Sequence, residues 1–132
     1  MTSSIEPTQA ARAAQRQLDA YNARDLEAFL AAYADDCVVR SFPSGEILMD
    51  GKAAMRTRYG ALFEEHEALH CTLLTRITHE PFAVDHEHVV GIRPDEVVYA
   101  VATYEVRDEI IRNVWFLKDD NLEVEVDQEA DD

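Results

Sequence analysis

The feature that most constrains this chain is a change in its hydrophobic period. Before residue 69, apolar residues recur mainly at helical spacing; from Leu69 to Lys118 they alternate as in strands. Ala11, Ala14, Leu18 and Tyr21 share one helical face after Pro7, which suits a first helical position. Asp25 is placed to cap a second helix carrying Leu26, Phe29, Leu30 and Tyr33. A strand from Cys37 to Phe42, a Pro43-Ser44-Gly45 turn and a short strand Glu46–Met49 follow. Asp50-Gly51 opens a third helix in which Met55, Tyr59, Leu62 and Phe63 align. Four strands are predicted next: Leu69–Thr78, Phe82–Ile92, Val97–Asp108 and Ile110–Lys118, broken at Glu80-Pro81, Pro94-Asp95 and Asp108-Glu109. Helices first and a long antiparallel meander after predict an α+β domain, with helices on one face of a curved sheet.

Composition narrows the functions open to such a domain. The 132 residues suffice for one core, and 47% of them are apolar. Residues 7–118 are read as the domain, 1–6 as a flexible leader and 119–132 as an acidic tail with eight carboxylates and no base. With 12 basic against 27 acidic residues, the net charge of −15 repels phosphate backbones and argues against nucleic-acid binding. Neither a membrane span nor a signal-like leader is visible, so a soluble cytoplasmic protein is expected. Cys37 and Cys71 sit in apolar stretches and read as buried free thiols.

Alternation assigns faces to the strands. Val98, Ala100, Ala102, Tyr104 and Val106 form an inward set, and Ile111, Asn113, Trp115 and Leu117 the corresponding set on the last strand. Asn113 then stands as a polar group among apolar neighbours and needs a partner in protein, water or ligand.

Three stretches resemble the nuclear-transport-factor-2-like superfamily, including its SnoaL-like and ketosteroid-isomerase-like members. They are Gln15 to Asp25 running on to Ala34-Asp35-Asp36, then Asp50 to Tyr59, and Tyr104 to Trp115; with the strand Val84–Gly91 between them, the similarity spans residues 8–118. The resemblance implies a cone: a strongly bent antiparallel sheet wrapped around three N-terminal helices, open at one end into a pocket. It also implies a cofactor-free site. Ketosteroid isomerase needs a tyrosine, a carboxylate base and a protonated acid, and the matching positions here hold Gln17, Ser41 and Ala102. That mechanism therefore lacks its parts, although Tyr59 matches a supporting tyrosine.

The expected pocket residues are Tyr59, Tyr104, Asn113, Trp115 and Arg40, with His86 and His88 as candidate catalytic groups. The two histidines share a face with Phe82, Val84 and Val90, opposite Asp85 and Glu87. They read as pocket acid–base or hydrogen-bonding groups, as half-exposed strand residues, or as two ligands of a metal completed by His70 or His79. Arg40 reads as a clamp for a ligand carboxylate or as the partner of an acidic side chain. Trp115 reads as core or as ligand contact. Together these features predict a small-molecule pocket protein, either a cofactor-free isomerase-, cyclase- or hydrolase-like enzyme or a binder; the alternative is a non-catalytic dimerisation domain. A homodimer is expected through an outer patch of Tyr99, Val101, Val114 and Phe116.

Overall fold

A computed structural model describes residues 6–118. The acidic tail 119–132, and all of the expected leader except residue 6, lie outside the described residues. Helix α1 (Gln9–Ala23) starts two residues later than Pro7 suggests, because the Thr8 hydroxyl accepts from Ala11 N (3.1 Å) and satisfies an otherwise orphaned donor. It ends at Arg24 in the left-handed region. Asp25 caps α2 (Leu26–Ala31) by accepting from Ala28 N at 3.1 Å. Tyr33 is not on that helix. It opens β1 (Tyr33–Ser41), because Ile111 N donates to Ala32 O (2.9 Å) and draws the chain into the sheet there. Then come β2 (Ile47–Asp50), α3 (Lys52–Glu65), β3 (His70–His79), β4 (Phe82–Val90), β5 (Val97–Arg107) and β6 (Ile110–Lys118).

The six strands form one sheet in the order β2-β1-β6-β5-β4-β3, and the three helices cover its concave face. The meander β3 to β6 is antiparallel as expected, but β1 joins β6 in parallel, so the sheet is mixed. That joint follows from chain order: most of the domain lies between the two strands and serves as the long crossover a parallel pair requires. Alanines 10, 13 and 14 of α1 are fully buried, and their small side chains let the helix lie close against β3 and β5. Phe29, Leu30, Met55, Tyr104 and Ile111 fill the space between the layers. Each such burial contributes roughly 1.5–3 kcal/mol.

The inward set of β5 is as the alternation predicts: Val98, Ala100, Ala102, Tyr104 and Val106 are all buried. The inward set of β6 is not. Val106 faces Ile111, but Glu105 faces Asn113, so the ladder skips Arg112. A bulge of one residue reverses the parity of everything beyond it. Val114 and Phe116 are consequently buried on the concave side, while Asn113, Trp115 and Leu117 turn to the convex side. The dimer patch expected from Val114 and Phe116 is corrected by the same bulge.

The other end of β4 is held by close backbone packing. A Cβ at Gly91 would lie 2.2 Å from the Ala68 carbonyl oxygen, and its φ of +93° also favours glycine. This contact pins the β4–β5 turn against the segment between α3 and β3.

Candidate functional site

Between helices and sheet lies a cavity of about 490 Å³, a volume suited to a small organic molecule. Its helical wall carries Gln17, Leu18, Tyr21, Phe29 and Tyr59; its sheet wall carries Cys71, Glu87, Val89, Ala100, Tyr104 and Phe116. The rings pack against one another, Phe29 to Tyr59 at 4.6 Å and Tyr21 edge-on to Tyr59 at 6.4 Å. Such contacts fix ring orientation before anything binds. At the deep end the Tyr33 hydroxyl donates to Gln17 Oε1 (3.2 Å), and Gln17 Nε2 donates to Ala14 O (3.0 Å).

The most consequential side chain in this cavity is Glu87. The pairing of β4 with β5 sets Asp85 against Ala102 and Glu87 against Ala100, so both carboxylates take the concave face. Small alanines opposite leave room for them. Their fates then diverge. Arg76 on β3 grips Asp85 with two hydrogen bonds, Nε to Oδ1 at 2.7 Å and Nη2 to Oδ2 at 3.0 Å, and also donates to Gln15 Oε1 at 3.0 Å. Asp85 is fully buried and fully matched. Glu87 is also buried, but its Oε2 has no hydrogen-bond partner. Burial, followed by the charge of Asp85, pushes the Glu87 carboxyl up to about 7, against the smaller opposing effects of a hydrogen bond from the Cys71 thiol and the charges of Lys118 and Arg76. Near neutral pH this group can both accept and donate a proton.

The thiols and phenols around it are poor acids. Burial raises Cys71, and both burial and the neighbouring Glu87 charge raise Tyr21 and Tyr104. Cys37 and Cys71 are free and buried, and burial pushes Cys37 up to about 12. Neither is poised as a nucleophile. Among the described residues, no three His, Cys, Asp or Glu side chains gather to hold a metal ion.

The residues singled out from sequence divide between two places. Tyr59 and Tyr104 line the cavity. Asn113, Trp115 and Arg40 are brought together, but on the convex face. There Arg40 Nη1 donates to Asn113 Oδ1 (2.9 Å), Asn113 Nδ2 donates to Glu105 Oε1 (2.8 Å), and the Arg40 guanidinium stands 6.0 Å from the Trp115 ring. His86 and His88 also lie on the convex face, on either side of the Tyr99 ring. Their partners across β3 are Thr75 and Thr72, while His70 and His79 sit at opposite ends of that ladder. Glu87 escaped sequence reasoning because the hairpin register was unknown. Once Val90 is known to pair with Val97, the odd positions of β4 must join the even, inward positions of β5. The two alanines facing Asp85 and Glu87 were the available signal.

A bent sheet enclosing helices and an internal cavity defines a class: cone-shaped α+β pocket domains. The particular family follows from sequence: the SnoaL-like domain matches residues 14–114, and the chain belongs to that family. Solved structures share the fold at low identity. An uncharacterised cystatin-fold protein from Novosphingobium aromaticivorans is 21% identical, with 84% of this chain and 98% of that one covered and a TM-score of 0.74. A proposed ketosteroid isomerase from Kribbella flavida is 21% identical over 83% of this chain and 77% of that one, TM-score 0.69. A proposed polyketide cyclase from Sinorhizobium meliloti is 19% identical over 80% and 93%, TM-score 0.68. No functionally curated protein matches the chain. Among the described residues no helix is long and apolar enough to cross a membrane.

Proposed function

We propose that this protein encloses a small, largely apolar molecule in its cone and engages it through Glu87. The observation that carries this reading is Glu87, a buried carboxylate with an unpartnered Oε2, among the residues that line a cavity of about 490 Å³. A buried polar atom without a partner costs roughly 1–3 kcal/mol, a cost a ligand can relieve. The enzymatic form is cofactor-free acid–base chemistry of isomerase or cyclase type. The Glu87 carboxylate takes a proton from the bound molecule, and the resulting acid returns it elsewhere. The relatives proposed as ketosteroid isomerase and polyketide cyclase are consistent with such a pocket. The test is a fragment screen by ¹H–¹⁵N NMR. Apolar fragments should shift the amides of Tyr59, Glu87 and Ala100 together; a screen in which none of these amides responds contradicts the reading.

A second reading concerns assembly and stands beside the first. The convex face leaves Tyr99 and Leu117 substantially exposed beside Val101 and Trp115, and His88 Nδ1 is buried there without a partner. This patch supports a homodimer through the outer sheet, since sheet faces are self-complementary surfaces. Sedimentation equilibrium at micromolar concentration should show a dimer that Leu117→Glu dissociates; a 15.0 kDa species in the unsubstituted protein would refute it.

A further inference from the structure

Four features of the cavity bear on what kind of molecule it takes. First, of the two carboxylates that β4 turns inward, Asp85 is neutralised by Arg76, whereas Glu87 Oε2 meets no donor. Second, five aromatic side chains line the cavity with Glu87: Tyr21, Phe29, Tyr59, Tyr104 and Phe116. Aromatic faces carry negative charge density and attract cations held within about 6 Å. Third, burial holds the phenols of Tyr21, Tyr59 and Tyr104 above their ordinary range, so they stay neutral and add no charge of either sign to the lining. Fourth, the chain carries a net charge of −15, which favours encounter with cations over anions.

The basic groups at the cavity do not reverse this balance. Arg58 is exposed and Glu65 lies on the same lining, while the Lys118 ammonium stands 5.1 Å from the Phe116 ring. Glu87, Ala100 and Lys118 lie in one row across β4, β5 and β6, so a ligand group against Glu87 passes over the small Ala100.

We propose that the ligand is an organic amine: a protonated nitrogen seated against the Glu87 carboxylate among the aromatic side chains of the lining, on an apolar body filling the rest of the cavity. This rests on the reading that the cavity holds a small molecule against Glu87, and deepens it to a chemical class. An ammonium supplies the donor the carboxylate lacks and a charge that the rings also favour, whereas a neutral hydroxyl supplies the first alone. A carboxylate ligand meets the like charge of Glu87.

Three probes of one shape test the class: 4-phenylbutylamine, 4-phenyl-1-butanol and 4-phenylbutyrate, titrated calorimetrically against the full chain at pH 7. The amine should bind at least about tenfold more tightly than the alcohol, the scale of one charged hydrogen bond, and the acid most weakly. In Glu87→Gln the amine's advantage should vanish while the alcohol's affinity is kept. The unsubstituted protein gives an independent check that no folding defect can mimic. Glu87 is faced by Asp85 on its own strand, Arg76 and Cys71 on β3, Lys118 on β6, and Tyr21, Tyr59 and Tyr104. Among these it is the carboxyl pushed up to about 7, so amine affinity should rise as pH passes from 6 to 8 and alcohol affinity should not. Equal binding of amine and alcohol, or tighter binding of the acid, overturns the amine while leaving the pocket reading intact. Failure of all three to bind overturns both.

Discussion

The two faces of the sheet handle a buried or half-buried glutamate in opposite ways. On the convex side Glu105 accepts from Asn113 and Arg107, and these hydrogen bonds hold its carboxyl below the usual range against the effect of burial. On the concave side Glu87 lacks a partner for one oxygen, and burial drives its carboxyl upward. The same side chain is thus fully linked into the fold on one face and only partly so on the other. A polar group whose partners are all supplied by the fold holds the fold; one left without them is available to a ligand. Asp85 sharpens the point, because it shares Glu87's strand and face yet, like Glu105, has both oxygens hydrogen-bonded, here by Arg76.

Three substitutions probe that comparison, taken from the largest expected effect down. Arg76→Ala removes the partner of a fully buried carboxylate and should cost about 3–5 kcal/mol in urea unfolding at pH 7. A loss below about 1 kcal/mol would mean that Asp85 finds water or protonates cheaply, and the contrast with Glu87 would fail.

Glu87→Gln should do the reverse at alkaline pH. The Glu87 pKa is raised on folding, to about 7 from 4.5. Its ionisation therefore costs nothing below pH 4.5 and destabilises the fold progressively as pH rises through 7. The variant should match the unsubstituted protein at pH 4 and exceed it by up to about 3 kcal/mol at pH 8. A constant difference across that range would remove the unpaired carboxylate from the account.

Asn113→Ala is the mild case. It takes one acceptor from Arg40 and one donor from Glu105, both half-buried with access to solvent, and should cost about 1 kcal/mol. Binding in the cavity should not change. Altered probe affinity would show that the convex cluster communicates with the pocket.

How far the fold could be read ahead depends on where local pattern suffices. The β5 alternation and the α3 face of Met55, Tyr59, Leu62 and Phe63 are legible because each lies within one uninterrupted element. The inward identity of Phe116, and the outward one of Asn113 and Trp115, depend on the bulge at Arg112. It leaves no mark in the alternation of β6 itself and appears only in pairing with β5. Glu87 was hidden for a related reason. His86 and His88 share their face with Phe82, Val84 and Val90, an apolar set that imitates a core stripe, while the true inward stripe mixes Ala83 and Val89 with two carboxylates. The stripe that lines the cavity is less apolar than the opposite one, so hydrophobic alternation alone picks the face turned away from it.

The central claim is that Glu87, buried and with one oxygen unpartnered, lines a cavity suited to a small molecule. Its carboxyl carbon, labelled with ¹³C and followed by NMR from pH 4 to 9, reports on this directly. A midpoint near 7 is predicted, moving down when 4-phenylbutylamine is bound. A midpoint near 4.5 that is indifferent to every added ligand would contradict the account.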